Sequence, residues 1–483
     1  MIRVLAIVAC LVAPHAARAQ GDADLLKQLN GTLAKASAEK LSWKPVLEAW
    51  AAMPAPPCAA DAGCGQESIW PGMKDWAKFA DWAKANPSMG KALIAAQAAL
   101  AWGMPYGDAT LPAGLKGKGV AVTLGEGDHL VNIKVGYLPA LRMIGQYGTA
   151  EQYRLCEAGN FKEGFELGVA YLRMLRQVCD QSLLAEKLFG MEQLAQALSI
   201  QRDILWRYRD KAPASVLQET ALKGYPYLGT GDNERMRRLL LPEGDRLVVA
   251  AQLASAFDDA GQPDADRFAA VFGADPAHAS PMQRFGEEKM WKRVAEVHGS
   301  LDASEEKLQA IYDDWWRRWR MRPYGNPIFE LPTETSRLNP VKYAAVSKLL
   351  QDLTKAFDAR NVLIANVNGT AYAAGVVARY RADQGRWPQK PEIAIQADYM
   401  KTKMNLDPYD KGYKGFEFLA VAKPKAVDAP AGRIEAPGVL IFAKGIDHES
   451  NDAATHTDDG SKGDILIWPP VRELAREQGL IGG

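Results

Sequence analysis

Apolar positions along this chain recur mostly at intervals of three and four, the spacing that gathers side chains on one face of an α-helix. Between 22 and 52 such a stripe is opened by Leu25, Leu26 and Leu29 and continued by Trp43, Leu47 and Trp50, predicting one or two helices. A loop rich in Pro, Ala, Cys and Gly occupies 54–65, and helical spacing returns over 73–102. The stretch 114–135 differs. There Val120, Val122 and Leu124, then Val131, Ile133 and Val135, alternate in steps of two about a turn-rich segment beginning Gly125-Glu126-Gly127-Asp128. That pattern predicts a β-hairpin near 118–135.

Helix signals are strongest between 149 and 209. Thr149 with Gln152 forms a capping box, Gly159 marks a stop, and Asn160 with Glu163 opens the next helix in the same way. Phe161, Phe165, Gly168, Val169, Leu172, Leu175 and Cys179 then share a face. Further helices are predicted over 182–211, 233–258, 263–271, 284–298 and 303–322, the last opened by an Asp302–Glu305 capping box. On that last helix Ile311, Tyr312, Trp315, Trp316 and Trp319 are read as a core stripe, with Arg317, Arg318 and Arg320 largely on the other side.

The stretch 322–340, with four prolines among Ser, Thr and Asn, is the clearest boundary. A long helix is predicted from Pro340 to Asp383, ending at Gln384-Gly385-Arg386-Trp387-Pro388. Strand-like runs follow at 415–421, 438–443 and 464–468, separated by turn-rich loops. The chain is therefore expected to be mainly α. A large irregular helical domain over 22–330 and a linker over 331–339 would precede an α+β domain over 340–475, built of a long helix and a small antiparallel β-sheet.

The first residues read as a secretory signal over 1–19. Arg3 supplies the positive start, an apolar run follows, and Ala17-Arg18-Ala19 gives the small-residue cleavage site. The expected location is periplasmic or secreted; lipidation at Cys10, after Ile7-Val8-Ala9, is the alternative processing route. Beyond Ala19 no apolar run approaches the roughly 20 residues needed to span a bilayer, so no transmembrane segment is expected after signal removal. Cleavage removes Arg3 and Arg18 and no acid, leaving 56 bases against 58 acids, a balance that argues against a nucleic-acid partner. Four cysteines remain, Cys58, Cys64, Cys156 and Cys179, and three pairings are open to them in an oxidising compartment. Cys58 with Cys64 closes a small loop. In a simple helical hairpin Cys156 faces residues 164–168, which puts Cys179 about 16 to 22 Å further along, beyond the roughly 7 Å reach of a disulfide.

The last hundred residues or so resemble the globular part of type II secretion major pseudopilins, and the related tails of uncharacterised exported bacterial proteins. The resemblance rests on the helix end Ala378-Arg379-Tyr380-Arg381-Ala382-Asp383-Gln384-Gly385-Arg386-Trp387-Pro388, on the turn Leu406-Asp407-Pro408-Tyr409-Asp410-Lys411-Gly412, and on the strands and acidic loop that follow. The segment 160–205 is similar to paired helices upstream in those exported proteins. The resemblance implies a pseudopilin-like domain and a calcium site in the acidic loop, carried here onto Asp447, Asp458 and Asp464. A hard cation takes six to eight oxygen ligands, which such a loop can supply. Assembly into a pilus is not implied: the helix follows residues 22–330 and is interrupted by Asp352, Lys355, Asp358 and Arg360.

Other chemistry is thinly signalled. His448 and His456 lack zinc-ligand spacing, and the acidic pairs Glu287-Glu288, Glu305-Glu306 and Asp313-Asp314 diverge on a helix rather than facing across a cleft. No nucleophile elbow, phosphate loop or dinucleotide fingerprint occurs. The expectation is an exported binding or scaffolding protein acting on an envelope protein or polymer. The alternatives are an envelope hydrolase with an unrecognised site and a calcium-stabilised structural protein.

Overall fold

The computed structural model describes residues 22–33, 35–58, 63–125, 129–228, 239–274, 279–321, 327–401, 404–412 and 414–481. The expected signal at 1–19 and Cys10 lie outside them. The chain is mostly helical, with one small three-stranded antiparallel sheet. Among the described residues no helix is long and apolar enough to cross a membrane.

The helical spacing over 73–102 resolves into two helices, Trp76–Ala85 and Pro87–Ala96. Pro87 has no N–H to continue the first and a backbone suited to start the second. The expected hairpin forms as β1 (Val122–Thr123) against β2 (Lys134–Val135), antiparallel with Val122 opposite Val135. Thr149 does not begin a helix. The helix Leu138–Glu157 starts eleven positions earlier, carries Pro139 in its first turn, and passes through a buried Thr149. The apolar stripe of Leu141, Ile144, Tyr147 and Tyr153 outweighs the local capping signal.

Gly159, at φ +80°, ends that helix, and the Asn160 N–H donates to the Leu155 carbonyl at 2.9 Å. The next helix, Phe161–Val178, folds back so closely that a Cβ on Gly164 would sit 2.8 Å from Cys156 Sγ. Cys156 and Cys179 are both buried and unpaired, whereas Cys58 and Cys64 form a disulfide.

Two helices run through the centre. Leu184–Arg207 is buried around most of its circumference, Glu186, Lys187, Arg202 and Asp203 included. Leu353–Ala382 is buried almost continuously from Leu363 to Ala378. The predicted helix from Pro340 is broken. A short helix, Ala344–Leu349, ends at an extended Leu350, and Asp352 caps the new start by accepting from the Lys355 N–H at 3.0 Å. Small residues let neighbours approach the long helix: a Cβ on Gly369 would lie 2.6 Å from Ile467. Charges fall only in its first two turns and, as Arg379 and Arg381, in its last, so its middle is a core helix rather than an amphipathic one.

The sheet follows: β3 (Glu417–Ala429), β4 (Gly432–Ala443) and β5 (Ile465–Trp468), in the order β3-β4-β5. β3 extends well past the predicted 415–421. Its register shifts between Val421 and Lys425, where Pro424 cannot donate to the ladder, and pairing then resumes up to Ala429 opposite Gly432.

The helix Leu301–Arg320 corrects the predicted tryptophan stripe. Trp315 and Trp319 are buried, but Trp316 is 45% exposed under the Arg320 guanidinium, because adjacent helical residues point about 100° apart. Arg318 instead turns inward. It pairs with Asp314 at 3.0 Å and donates to the carbonyls of Ile328, Leu331 and Pro332, fastening the proline-rich stretch to the helix.

One apolar core joins residues 25–248 with residues 363–475, and a second, centred on Phe257, Phe268, Trp315 and Phe357, spans 184–357. Both gather side chains from either side of 331–339.

Candidate cleft between the central helices

Leu188, Met191, Ala195, Ser199 and Arg202 fall on one stripe of helix 184–207, and Lys355, Ala359, Val362 and Asn366 on one stripe of helix 353–382. With the loop between β4 and β5 these stripes enclose a cleft of about 950 Å³. Positions 188 to 202 cover about 21 Å of helix at 1.5 Å per residue. Leu188, Met191, Ala195 and Val362 form an apolar strip flanked by Glu192, Asp352, Lys355 and Asp358; at one end, Ser199, Arg202, His456, Asp458 and Arg472 also line a smaller adjoining recess.

The polar end is set by a rotation of about 100° between neighbouring helical residues. Asp203 points to the C-terminal helix, Val471–Glu477, where its Oδ2 accepts from Arg472 Nε at 2.6 Å and lies 3.6 Å from Arg476. Burial raises the Asp203 carboxyl, and the two guanidiniums oppose it. Glu473 completes the network with Arg207 at 2.8 Å and Arg476 at 3.0 Å. Arg202 points the other way. It is 6% exposed, and among the described residues its one hydrogen bond goes from Nη1 to Thr370 Oγ1 at 2.8 Å. Burial pulls its guanidinium down to about 10.

His456 is locked beside it. Its Nδ1 lies 2.9 Å from the Leu466 backbone nitrogen and 3.1 Å from the Asp464 carbonyl, and its Nε2 forms a hydrogen bond of 3.2 Å with Asp458 Oδ1. That hydrogen bond holds the Asp458 carboxyl below the ordinary range, although the side chain is 89% exposed at the cleft edge.

The three acids singled out from sequence therefore have three different settings. Asp458 belongs to the cleft. Asp447 is exposed, with Oδ1 accepting the Glu449 N–H at 3.0 Å. Asp464 is fully buried, and its Oδ2 accepts from Ala453 at 2.7 Å and Asn451 at 3.1 Å. It thereby holds Asp452 and Ala453 in left-handed conformations, at φ +52° and +56°. Its Oδ1 has no hydrogen-bond partner among the described residues, and burial raises the carboxyl to about 6. Among the described residues no three His, Cys, Asp or Glu side chains are gathered to hold a metal.

No family model, curated sequence or solved structure matches this chain.

The turn 406–412 clamps the loop from the other side. Asp407 accepts the Tyr409 and Lys444 N–H groups at 2.8 and 3.1 Å, and Asp410 pairs with Lys444 Nζ at 2.7 Å. His448 is 3.2 Å from the Tyr409 carbonyl. None of the helical acidic pairs lines the cleft. Sequence reasoning missed Arg202 and Arg472. The signal for the first was present: a charged doublet, Arg202-Asp203, inside the apolar run from Leu198 to Trp206.

Proposed function

We propose that this chain is an exported cell-envelope binding protein, periplasmic or secreted, whose ligand occupies the cleft between helices 184–207 and 353–382. What carries the reading is the cleft itself: about 950 Å³, with apolar side chains along much of its wall, Arg202 and His456 fixed at one end, and exposed or half-buried charged side chains elsewhere along it. Ligand sites are commonly built this way, preformed and mostly apolar with a small number of orienting groups. In this reading helix 353–382 and the sheet form a pseudopilin-like unit that supplies one wall, and the ligand is a small molecule or the end of an envelope polymer. A hydrolytic reading draws no support from His456. With Nδ1 held between the backbone of Leu466 and Asp464 and Nε2 bonded to Asp458, the ring offers no free nitrogen to a nucleophile such as Ser199.

The test is the fluorescence of a neutral, environment-sensitive apolar dye mixed with the mature protein. Enhancement is expected with the native chain and not with Ala195→Trp, which fills the cleft, provided circular dichroism shows that variant folded. Equal enhancement in both would move dye binding elsewhere and sink the reading.

A second reading, calcium binding by the 446–464 loop, is favoured by the buried, unpartnered Oδ1 of Asp464, with Asp447 and Asp452 near enough to raise its pKa. Asp464 would hold the ion with Asp447 and loop carbonyls, while Asp458 is committed to His456. Calcium is then expected to raise the unfolding midpoint relative to chelator in the native chain and not in Asp464→Ala. An equal midpoint with and without calcium in the native chain excludes it.

A further inference from the structure

Resting on the reading of the cleft as a ligand site, we propose that its ligand is an anionic amphiphile. A single oxyanion head would sit against Arg202, with a hydrocarbon body along Ala195, Met191 and Leu188.

The head follows from charge. A buried guanidinium without a counter-ion is unfavourable, and such groups are ordinarily paired. Arg202 is buried, and its one hydrogen bond among the described residues goes to the neutral hydroxyl of Thr370. Asp203 and Asp458 attract Arg202 through space but direct their hydrogen bonds to Arg472 and His456. No carboxylate pairs with Arg202 among the described residues, so its free donors are left for the cleft. A carboxylate or sulfate supplies a directly bonded counter-charge and accepts a forked pair of hydrogen bonds. The hydroxyl of Ser199, one turn back along the same stripe, is placed to contribute a third.

The body follows from the helix. Moving away from Arg202, the stripe passes Ala195, Met191 and Leu188 at about 10, 16 and 21 Å along the axis. Ala359, Val362 and Ile465 add apolar surface to the same cleft. Hydrocarbon laid there leaves water at roughly 25 cal/mol per Å² of surface buried. The acids that also line the cleft, Glu67, Glu192, Asp352, Asp358, Asp458 and Asp459, are exposed or half-buried. They disfavour a second anionic group at the rim, so the fit is to one head and one tail.

Isothermal calorimetry on the mature protein tests this with three probes kept below their micelle concentrations: dodecanoate, dodecyltrimethylammonium and acetate. Dodecanoate is expected to bind at least about 10-fold more tightly than the ammonium, since a charge-assisted pair replaces a repulsion. Acetate should bind far more weakly for want of a tail. Arg202→Gln should weaken dodecanoate about 10-fold while the neutral dye still binds, and Arg202→Lys should recover part of the loss. If the dye binds but the ammonium matches dodecanoate, or if Arg202→Gln leaves dodecanoate unchanged, the anionic head is refuted and the cleft reading stands. If neither dye nor dodecanoate binds the native chain, both fall. Should Arg202→Gln fail to fold, the comparison of dodecanoate with ammonium on the native chain decides alone.

Discussion

Asp245 is a residue whose ionisation the fold resists. It is 4% exposed, and Oδ2 accepts the Leu184 N–H at 2.5 Å. Burial, with Glu186 close by, raises its carboxyl to about 7; Lys187 acts against this. An acid whose folded value lies above its unfolded value, near 4, favours folding while protonated. Its contribution is therefore full below about 4 and is lost as the pH rises through about 7. Asp245→Asn keeps the acceptor and removes the titration. Between pH 5 and pH 8 the native chain is expected to lose up to about 2.6 kcal/mol more stability than the variant in urea unfolding; parallel pH profiles would show that Asp245 titrates normally. Sequence pattern identifies such a residue only as a charge near the start of a helix. It likewise passed over Arg202 and Arg472, because their partners Thr370 and Asp203 lie 168 and 269 positions away. Asp458 and Asp464 were legible as an acidic loop, but not as a cleft acid and a buried loop anchor.

At the scale of elements, periodicity located the longer helices and all three strands of the sheet, and passed over short helices such as Ala214–Glu219 and Pro391–Ala394. What it misplaced were ends. Asp352 restarts a helix that the apolar pattern alone carries through from Pro340, and the β3 register shift hides half a strand behind Lys423-Pro424-Lys425. The C-terminal helix, Val471–Glu477, was not anticipated. It is too short to show a period, and it is held by buried charge as well as by Leu474 and Ala475. Removing one partner of a buried ion pair strands the other, at about 3 to 5 kcal/mol, whereas replacing both with apolar groups of similar size is often close to neutral. Arg472→Met is thus expected to destabilise the chain by about that amount, and Asp203→Leu with Arg472→Met by clearly less than the single change. Additive losses in the double-mutant cycle would mean that the pair does not hold the helix.

At the scale of the whole molecule, the proline-rich stretch before 340 looks like a place to cut the chain, and the packing crosses it. Leu363 to Ala378 lie in one core with Leu141, Leu172 and Leu198; Phe357 lies in the other with Trp315 and Phe268. The polar ties cross as well: Arg202 to Thr370, Asp203 to Arg472, and Trp206 Nε1 to Glu477 at 2.9 Å. A helix buried on all sides has no solvated face to present if its neighbours leave, and exposing it would return a large apolar area to water at roughly 25 cal/mol per Å². The two sides of the stretch are therefore expected to unfold together. Scanning calorimetry of the mature protein should give one transition, with a calorimetric enthalpy equal to the van't Hoff value. Gly369→Ala, which drives a methyl group into Ile467 between helix 353–382 and β5, should move that single transition down as a whole, by about 1 to 3 kcal/mol of stability. Two separable transitions, with only the later segment shifted by the substitution, would establish instead that residues 22–330 and 340–475 fold independently. The cleft would then be an interface between domains free to open.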